Sequence, residues 1–219
     1  MIRVAPEGKP FIVGAFVILG LLLIVTHWWA LLWLPIAIWV VAFFRDPPRD
    51  GERGPDLVIA PADGLVVDVR EIDEPSFIGG KAQRVCIFMN VFDCHVNRAP
   101  VAGRVATIAY KPGKFLNADL DKASEDNERN GIVIDSAHGP VGVVQIAGLV
   151  ARRIVCFVKQ GDALAPGERI GMIRFGSRLD VWLPPLASVL VAEGQIAIAG
   201  ETVLARFGGA GETRRARVD

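Results

Sequence analysis

Two stretches near the start of this 219-residue chain carry no charged side chain, Phe11 to Thr26 and Trp28 to Phe44, with only His27 between them. They also lack a polar face, which a helix on the surface of a soluble fold keeps. The block is long for one straight span of roughly 20 apolar residues and short for two full ones. Two geometries remain, a tight helical hairpin or a tilted helix that breaks at Pro35. Arg3 and Lys9 precede the block and Arg45 and Arg49 follow it. Positive residues stay on the cytoplasmic side, so basic residues at both ends favour a hairpin with both termini inside. Its tip, Trp28-Trp29, then sits at the far interface, where indoles prefer to lie. No small-residue cleavage site precedes a polar region, so the block is expected to be retained and not removed as a signal peptide.

A net excess of charge of either sign is missing too. The 24 basic and 24 acidic residues cancel, which removes the basic footprint of a nucleic-acid binder. Local basic clusters (Arg45, Arg49 and Arg53, then Arg214, Arg215 and Arg217) could meet anionic headgroups. Cysteine is scarce: Cys86, Cys94 and Cys156 are an odd number without metal-ligand spacing, in apolar surroundings. They read as buried, reduced thiols facing the cytosol, with no metal site.

No long amphipathic helix follows the apolar block. Residues Arg45 to Gly51 are polar and proline-bearing, a stiff linker. Beyond it, short β-branched runs bounded by Gly, Pro or Asp predict strands over Leu57–Ala60, Gly64–Ile72, Arg84–Met89, Gly103–Tyr110, Gly131–Ser136, Gly139–Ala147, Arg153–Phe157, Arg169–Ile173, Asp180–Leu183 and Val203–Phe207. Ala147 to Arg152 reads as an irregular or helical turn, and Asn117 to Asn130 as too polar for a core element. The chain therefore divides into a hydrophobic membrane-anchoring segment (1–45), a linker (46–56) and a β-rich domain (57–219). The fold class is mainly β, a sandwich or partly open barrel of short strands behind an N-terminal hydrophobic hairpin or anchor.

Three motifs combine polar groups with rigid surroundings. In Ala60-Pro61-Ala62-Asp63-Gly64 a carboxylate sits on a tight turn entering a strand, and an ordinary Asp-Gly turn is the plainer explanation of it. Asn90 to Pro100 carries His95, whose titration near neutral pH suits acid-base work, although a structural histidine fits as well. Phe175-Gly176-Ser177 places a Gly-Ser pair between apolar β-type residues. His27 at the apolar tip and His138 in a turn have no carboxylate motif around them.

Taken in order, Pro61-Ala62-Asp63-Gly64, Asp93-Cys94-His95-Val96-Asn97-Arg98-Ala99-Pro100, Asn127-Glu128-Arg129-Asn130 and Phe175-Gly176-Ser177 resemble the phosphatidylserine decarboxylase family in its short bacterial form. The resemblance implies a proenzyme cut between Gly176 and Ser177 into chains 1–176 (β) and 177–219 (α), which stay associated. Ser177 Oγ would attack the Gly176 carbonyl, and elimination and hydrolysis would leave Ser177 as a covalent pyruvoyl cofactor. Gly176, lacking a Cβ, admits the nucleophile. His95 would act as the base that serine needs and Asp63 would orient its ring, as in a serine triad. The pyruvoyl carbonyl would take up the electrons released when phosphatidylserine loses CO2 to become phosphatidylethanolamine, with His95 returning the proton.

Longer members of the family carry two histidines three residues apart in the second motif, whereas the second position here is Arg98. Its fork of donors suits the phosphate or carboxylate of the substrate, and a structural ion pair is the competing reading. The implied location is the inner membrane, with the β-rich part facing the cytoplasm. A pyruvoyl decarboxylase for another serine phospholipid and a non-catalytic membrane-anchored β-domain are the alternatives. Homo-oligomer formation is left open.

Overall fold

In the computed structural model the described residues are 3–74, 79–113, 127–148, 153–174 and 177–208. The apolar block folds as helix α1 (Lys9–Thr26), a 3-10 segment (His27–Trp33) and helix α2 (Leu34–Phe43). Counted as one run, Pro6–Phe43 has the length and apolarity to cross a membrane. Its two ends, however, are bonded to each other. The Ala5 N–H donates to the Phe44 carbonyl and the Asp46 N–H to the Arg3 carbonyl, both at 2.8 Å, and Val4 pairs with Arg45. The block is therefore a hairpin, the first of the two expected geometries. The chain reverses after His27, which adopts φ +50°, and the Trp33 indole ties the return to the Ala15 carbonyl at 3.1 Å. Helix α1, 18 residues long, spans about 27 Å, close to the ~30 Å hydrocarbon core of a bilayer. Val13, Leu21, Ile24, Val25, Trp28 and Leu32 are exposed along the hairpin, and only lipid makes that surface favourable.

The described residues after the linker form short strands: β1 (Leu57–Ile59), β2 (Gly64–Glu74), β3 (Gly80–Met89), β4 (Val96–Arg98), β5 (Gly103–Lys111), β6 (Arg129–Ser136), β7 (Gly139–Ala147), β8 (Arg153–Cys156), β9 (Ala163–Leu164), β10 (Arg169–Arg174), β11 (Ser177–Leu183), β12 (Ala187–Val189), β13 (Ile196–Ala197) and β14 (Val203–Phe207). Eight make a curled, half-open antiparallel sheet in the order β13-β2-β3-β11-β7-β6-β5-β9. Two three-stranded sheets, β1-β14-β12 and β4-β10-β8, accompany it. The partly open, barrel-like member of the predicted fold class is the one the chain adopts.

The predicted strands fall close to observed ones, while β4, β9, β12 and β13 are only two or three residues long and exist through their pairing partners, not through any pattern of their own. Two expectations need correction. Asn127, Glu128 and Asn130 are buried, because each spends its polarity on internal hydrogen bonds. Cys156 is exposed, whereas Cys86 and Cys94 are buried and free. The readings for Ala147–Arg152 and Asn117–Asn130 otherwise fall largely outside the described residues.

Two apolar clusters hold these elements together. The larger one fills the curl, with Ile87, Ile132, Leu179 and Val181 among its members. The second joins the base of the hairpin (Ala5, Phe43, Phe44) to Cys94, Val96 and Met172. The anchor is thus packed against β4 and β10.

Candidate functional site

Ser177 is the first residue of β11, and β10 ends at Arg174 in a different sheet. The Gly176-Ser177 bond therefore lies where the chain leaves the three-stranded sheet for the eight-stranded one; Phe175 and Gly176 lie outside the described residues. Ser177 is opposite Met89 on β3 and Ala147 on β7. Its side chain is fully buried, and among the described residues its hydroxyl reaches only the Met89 sulfur, at 4.0 Å. A serine hydroxyl sealed from water with no strong partner is free to serve a neighbouring carbonyl.

Alternation along the strands puts Gln145 and Asn130 on the same face of the sheet as Ser177. They form a buried chain: Asn130 Nδ2 donates to Gln145 Oε1 at 2.9 Å, and Gln145 Nε2 donates to Asn97 Oδ1 at 2.8 Å. Asn97 Nδ2 in turn lies 3.7 Å from the Met89 sulfur that faces Ser177. Room for Gln145 comes from Gly171, where a Cβ would stand 2.7 Å from Gln145 Nε2. Glu128, also buried, accepts from the Ile154 N–H at 3.3 Å and from the Tyr110 hydroxyl at 3.1 Å, while its carbonyl accepts from the Ala147 N–H. Met89 and Gln145 escaped sequence reasoning, since a lone methionine or amide in a β run carries no motif, whereas Asn97 and Asn130 stood inside the quoted motifs without an assigned role.

His95 precedes β4, the neighbour of β10. Its carbonyl accepts from the Ile173 N–H at 3.4 Å, which sets it beside β10, the strand that ends just before Phe175-Gly176-Ser177. Its ring lies against Phe43 of the hairpin, centroids 4.2 Å apart. Nδ1 is 3.0 Å from the Asp93 carbonyl. A carbonyl only accepts, so Nδ1 carries the proton and Nε2 presents a lone pair. Among the described residues Nε2 is buried without a partner. Burial, and secondarily the charge of Arg45, lowers the pKa of His95 from 6.5 to about 4, against the Asp93 hydrogen bond. The ring is neutral at pH 7.

Asp63 does not hold that ring. Its Oδ2 accepts from Arg49 Nη2 at 2.7 Å and its Oδ1 from the Ala199 N–H at 2.8 Å. The tight turn is real: Gly64 has φ +147°, and a Cβ there would be 2.1 Å from the Phe88 carbonyl oxygen. The triad-like pairing of Asp63 with His95 is therefore replaced by the Asp93 backbone carbonyl, because the Asp63 carboxylate is spent on the linker arginine. Arg98 is likewise committed. Its guanidinium meets Asp46 Oδ1 at 2.5 Å and the Gly167 carbonyl at 3.0 Å, clamping the linker. His138, expected to lack a carboxylate, has Asp56 at 3.0 Å.

Asn90 and Asp93 close a turn on each other, the Asp93 carboxylate accepting from the Asn90 N–H at 2.8 Å. That turn aims the Asp93 carbonyl at His95. The sequence profile described as phosphatidylserine decarboxylase matches residues 36–205, the span that holds every group described above. The chain belongs to the phosphatidylserine decarboxylase family. It is 54% identical over 210 residues to a phosphatidylserine decarboxylase proenzyme of Azorhizobium caulinodans, covering 94% of this chain and 90% of the relative. A phosphatidylserine decarboxylase proenzyme of Xanthobacter autotrophicus is 54% identical over 213 residues, covering 93% and 89%. Both relatives are named as proenzymes.

The residues present suit a cofactor made in place. The Ser177 side chain is enclosed and the unpartnered His95 Nε2 lies in the neighbouring segment. The described residues hold no cluster of metal-binding side chains.

Proposed function

We propose that this chain cuts itself between Gly176 and Ser177 and then decarboxylates phosphatidylserine to phosphatidylethanolamine and CO2. The observation that carries the reading is the buried lone pair of His95 Nε2 beside the strand that leads to a sealed Ser177 hydroxyl. In the cut, Oγ gives its proton to Nε2 and bonds to the Gly176 carbonyl carbon, turning the amide into an ester. Loss of the Ser177 α-proton then breaks the Cβ–O bond and frees chain 1–176. Water replaces the remaining nitrogen, released as ammonia, and chain 177–219 begins with pyruvoyl.

That carbonyl supplies an electron sink for the carboxylate's departure. The chain's own residues do the rest. A histidine whose pKa sits near 4 is a weak base but readily returns the proton it has taken, so Nε2 serves both the cut and the final protonation. The Asn130–Gln145–Asn97 chain fixes β6, β7 and β4 around Ser177, and burial keeps water away. Asp63 acts as a positioning residue through Arg49, and Arg98 as the holder of Asp46. The hairpin (through residue 45) anchors the molecule in the inner membrane, and the basic residues at its base place the β-rich part on the cytoplasmic side.

Intact mass of the purified protein tests this. Two pieces, the smaller beginning with pyruvoyl at position 177, are expected for the native chain and one uncut piece for Ser177→Ala. A native chain that stays whole under conditions that permit folding overturns the proposal.

A further inference from the structure

At the base of the hairpin a cavity of about 630 Å³ opens between the helices and the linker. Phe16 of α1 and Ile38, Val41 and Ala42 of α2 make its apolar wall, and Arg3 and Arg45 stand at its polar end. That volume is within the range of small-ligand sites. Its charge is uncompensated: no carboxylate lines it among the described residues. Arg45 gives two of its five N–H donors to the carbonyls of Ala42 and Phe92, both at 2.8 Å, which leaves its positive charge unneutralised and donors to spare. Arg3 is exposed and pairs with no described carboxylate. The nearest acid along the chain, Asp46, is already shared between Arg98 and Arg169.

Two unpaired guanidinium groups at the end of an apolar groove, at the level where a membrane hairpin leaves the bilayer, match one kind of ligand: an acyl chain ending in an anionic phosphodiester. The groove also leads somewhere. Arg45 lies close enough to His95 to act on its charge, the Arg45 carbonyl accepts from the Cys94 thiol at 3.2 Å, and Phe43 packs at a tilt against the His95 ring.

We propose that this groove is the port through which a phospholipid enters from the bilayer, its acyl chain along Phe16, Ile38 and Val41 and its phosphate between Arg3 and Arg45. The headgroup beyond the phosphate is then delivered toward His95. The inference rests on the decarboxylase reading for its substrate and stands apart from it in its test.

The kinetic arm uses full-length chain in detergent micelles with long-chain phosphatidylserine. Arg3→Glu, an exposed site, and Val41→Trp, which fills the groove, should each raise KM about tenfold while kcat stays within about twofold. Cleavage at Gly176-Ser177 should stay complete in both, showing an intact fold. The binding arm uses the uncut Ser177→Ala protein and native mass spectrometry with dioleoyl phosphatidylglycerol, which shares the phosphodiester and chains but not the serine. Retention should fall when Arg3→Glu or Val41→Trp is added, and neither inorganic phosphate nor glycerophosphoserine should displace the lipid at equal concentration. Unchanged KM and retention in both variants overturn the port. Displacement by inorganic phosphate overturns the lipid as ligand in favour of a simple anion site. Loss of decarboxylation in the native chain with retention still sensitive to Arg3 refutes the function and leaves the port standing.

Discussion

The environment of His95 makes a thermodynamic prediction that needs no turnover. Its folded pKa of about 4 lies below the unfolded 6.5, so between those values the unfolded chain binds the extra proton and the folded one does not. Stability must therefore rise with pH through this window and fall as the solution is acidified from about 6.5 toward 4. Relative to pH 7.5, the loss from this one group is about 2 kcal/mol at pH 5 and about 3 kcal/mol at pH 4, at 1.36 kcal/mol per unit. Other groups contribute to the acid side of the profile as well, since burial raises the pKa of Asp93. The comparison that isolates His95 is urea unfolding of the uncut Ser177→Ala protein against Ser177→Ala/His95→Gln in identical micelles, from pH 4 to 7.5. The protein that keeps His95 should lose about 2 kcal/mol more than the His95→Gln variant on going to pH 5. Parallel curves would refute the burial of a neutral ring with a bare Nε2. A steeper fall for the glutamine variant would reverse the sign and refute it equally.

Three further outcomes come from the geometry. Gly171→Ala drives a Cβ to 2.7 Å from both Gln145 Nε2 and the Val155 carbonyl oxygen; it should cost about 1–3 kcal/mol in urea unfolding and slow self-cleavage, and unchanged values in both would show the amide chain to be idle. Asp63→Asn keeps an acceptor for the Ala199 N–H but leaves Arg49, whose side chain is 9% exposed, with Glu201 at 3.9 Å as its remaining carboxylate among the described residues. It should lose about 1–3 kcal/mol, less than a wholly buried pair, and cleave itself more slowly while still reaching completion on a denaturing gel, because Asp63 acts on the site only through the linker and the Asp93 carbonyl fixes the His95 ring. Among the cysteines, iodoacetamide at pH 8 should label the exposed Cys156 and spare Cys86, whose thiol burial holds protonated by raising its pKa; rapid labelling of Cys86 under native conditions contradicts that burial.

What could be read from sequence divides along the range of the interactions involved. The hairpin was legible because its cause is local: charge is absent over a long run and returns at both ends. The long strands were legible because β-branched runs end at Gly, Pro and Asp. Ser177 and His95 stood inside motifs. The pairings between these groups and their neighbours were not legible, since pairings are set by the folded register; even Asp93, inside the His95 motif, gave no sign that its carbonyl would take the ring N–H. Asp63 looked like the natural mate of His95, but nothing in the sequence says that the linker brings Arg49 to Asp63 first. Nor does any pattern say that Gln145, lone and polar in the strand Gly139–Ala147, is opposite Asn130 and reaches Asn97. Arg98 could have faced a substrate until the fold put Asp46 within 2.5 Å.

The same pairings argue that anchor and catalytic machinery are one mechanical unit. Strand β10, which carries the chain toward Gly176-Ser177, is held at both ends by the hairpin: Arg169 meets Glu7 at 3.2 Å, and the Arg174 guanidinium lies 5.0 Å from the Phe11 ring centroid. Phe43 covers the His95 ring, so the low dielectric that depresses its pKa is partly made by a membrane helix. An anchor joined only by a flexible tether would leave the histidine wetter and its pKa nearer 6.5. Deleting the hairpin therefore removes more than membrane attachment, since it uncovers the His95 ring, frees β10 and abolishes the groove whose apolar wall is Phe16, Ile38, Val41 and Ala42.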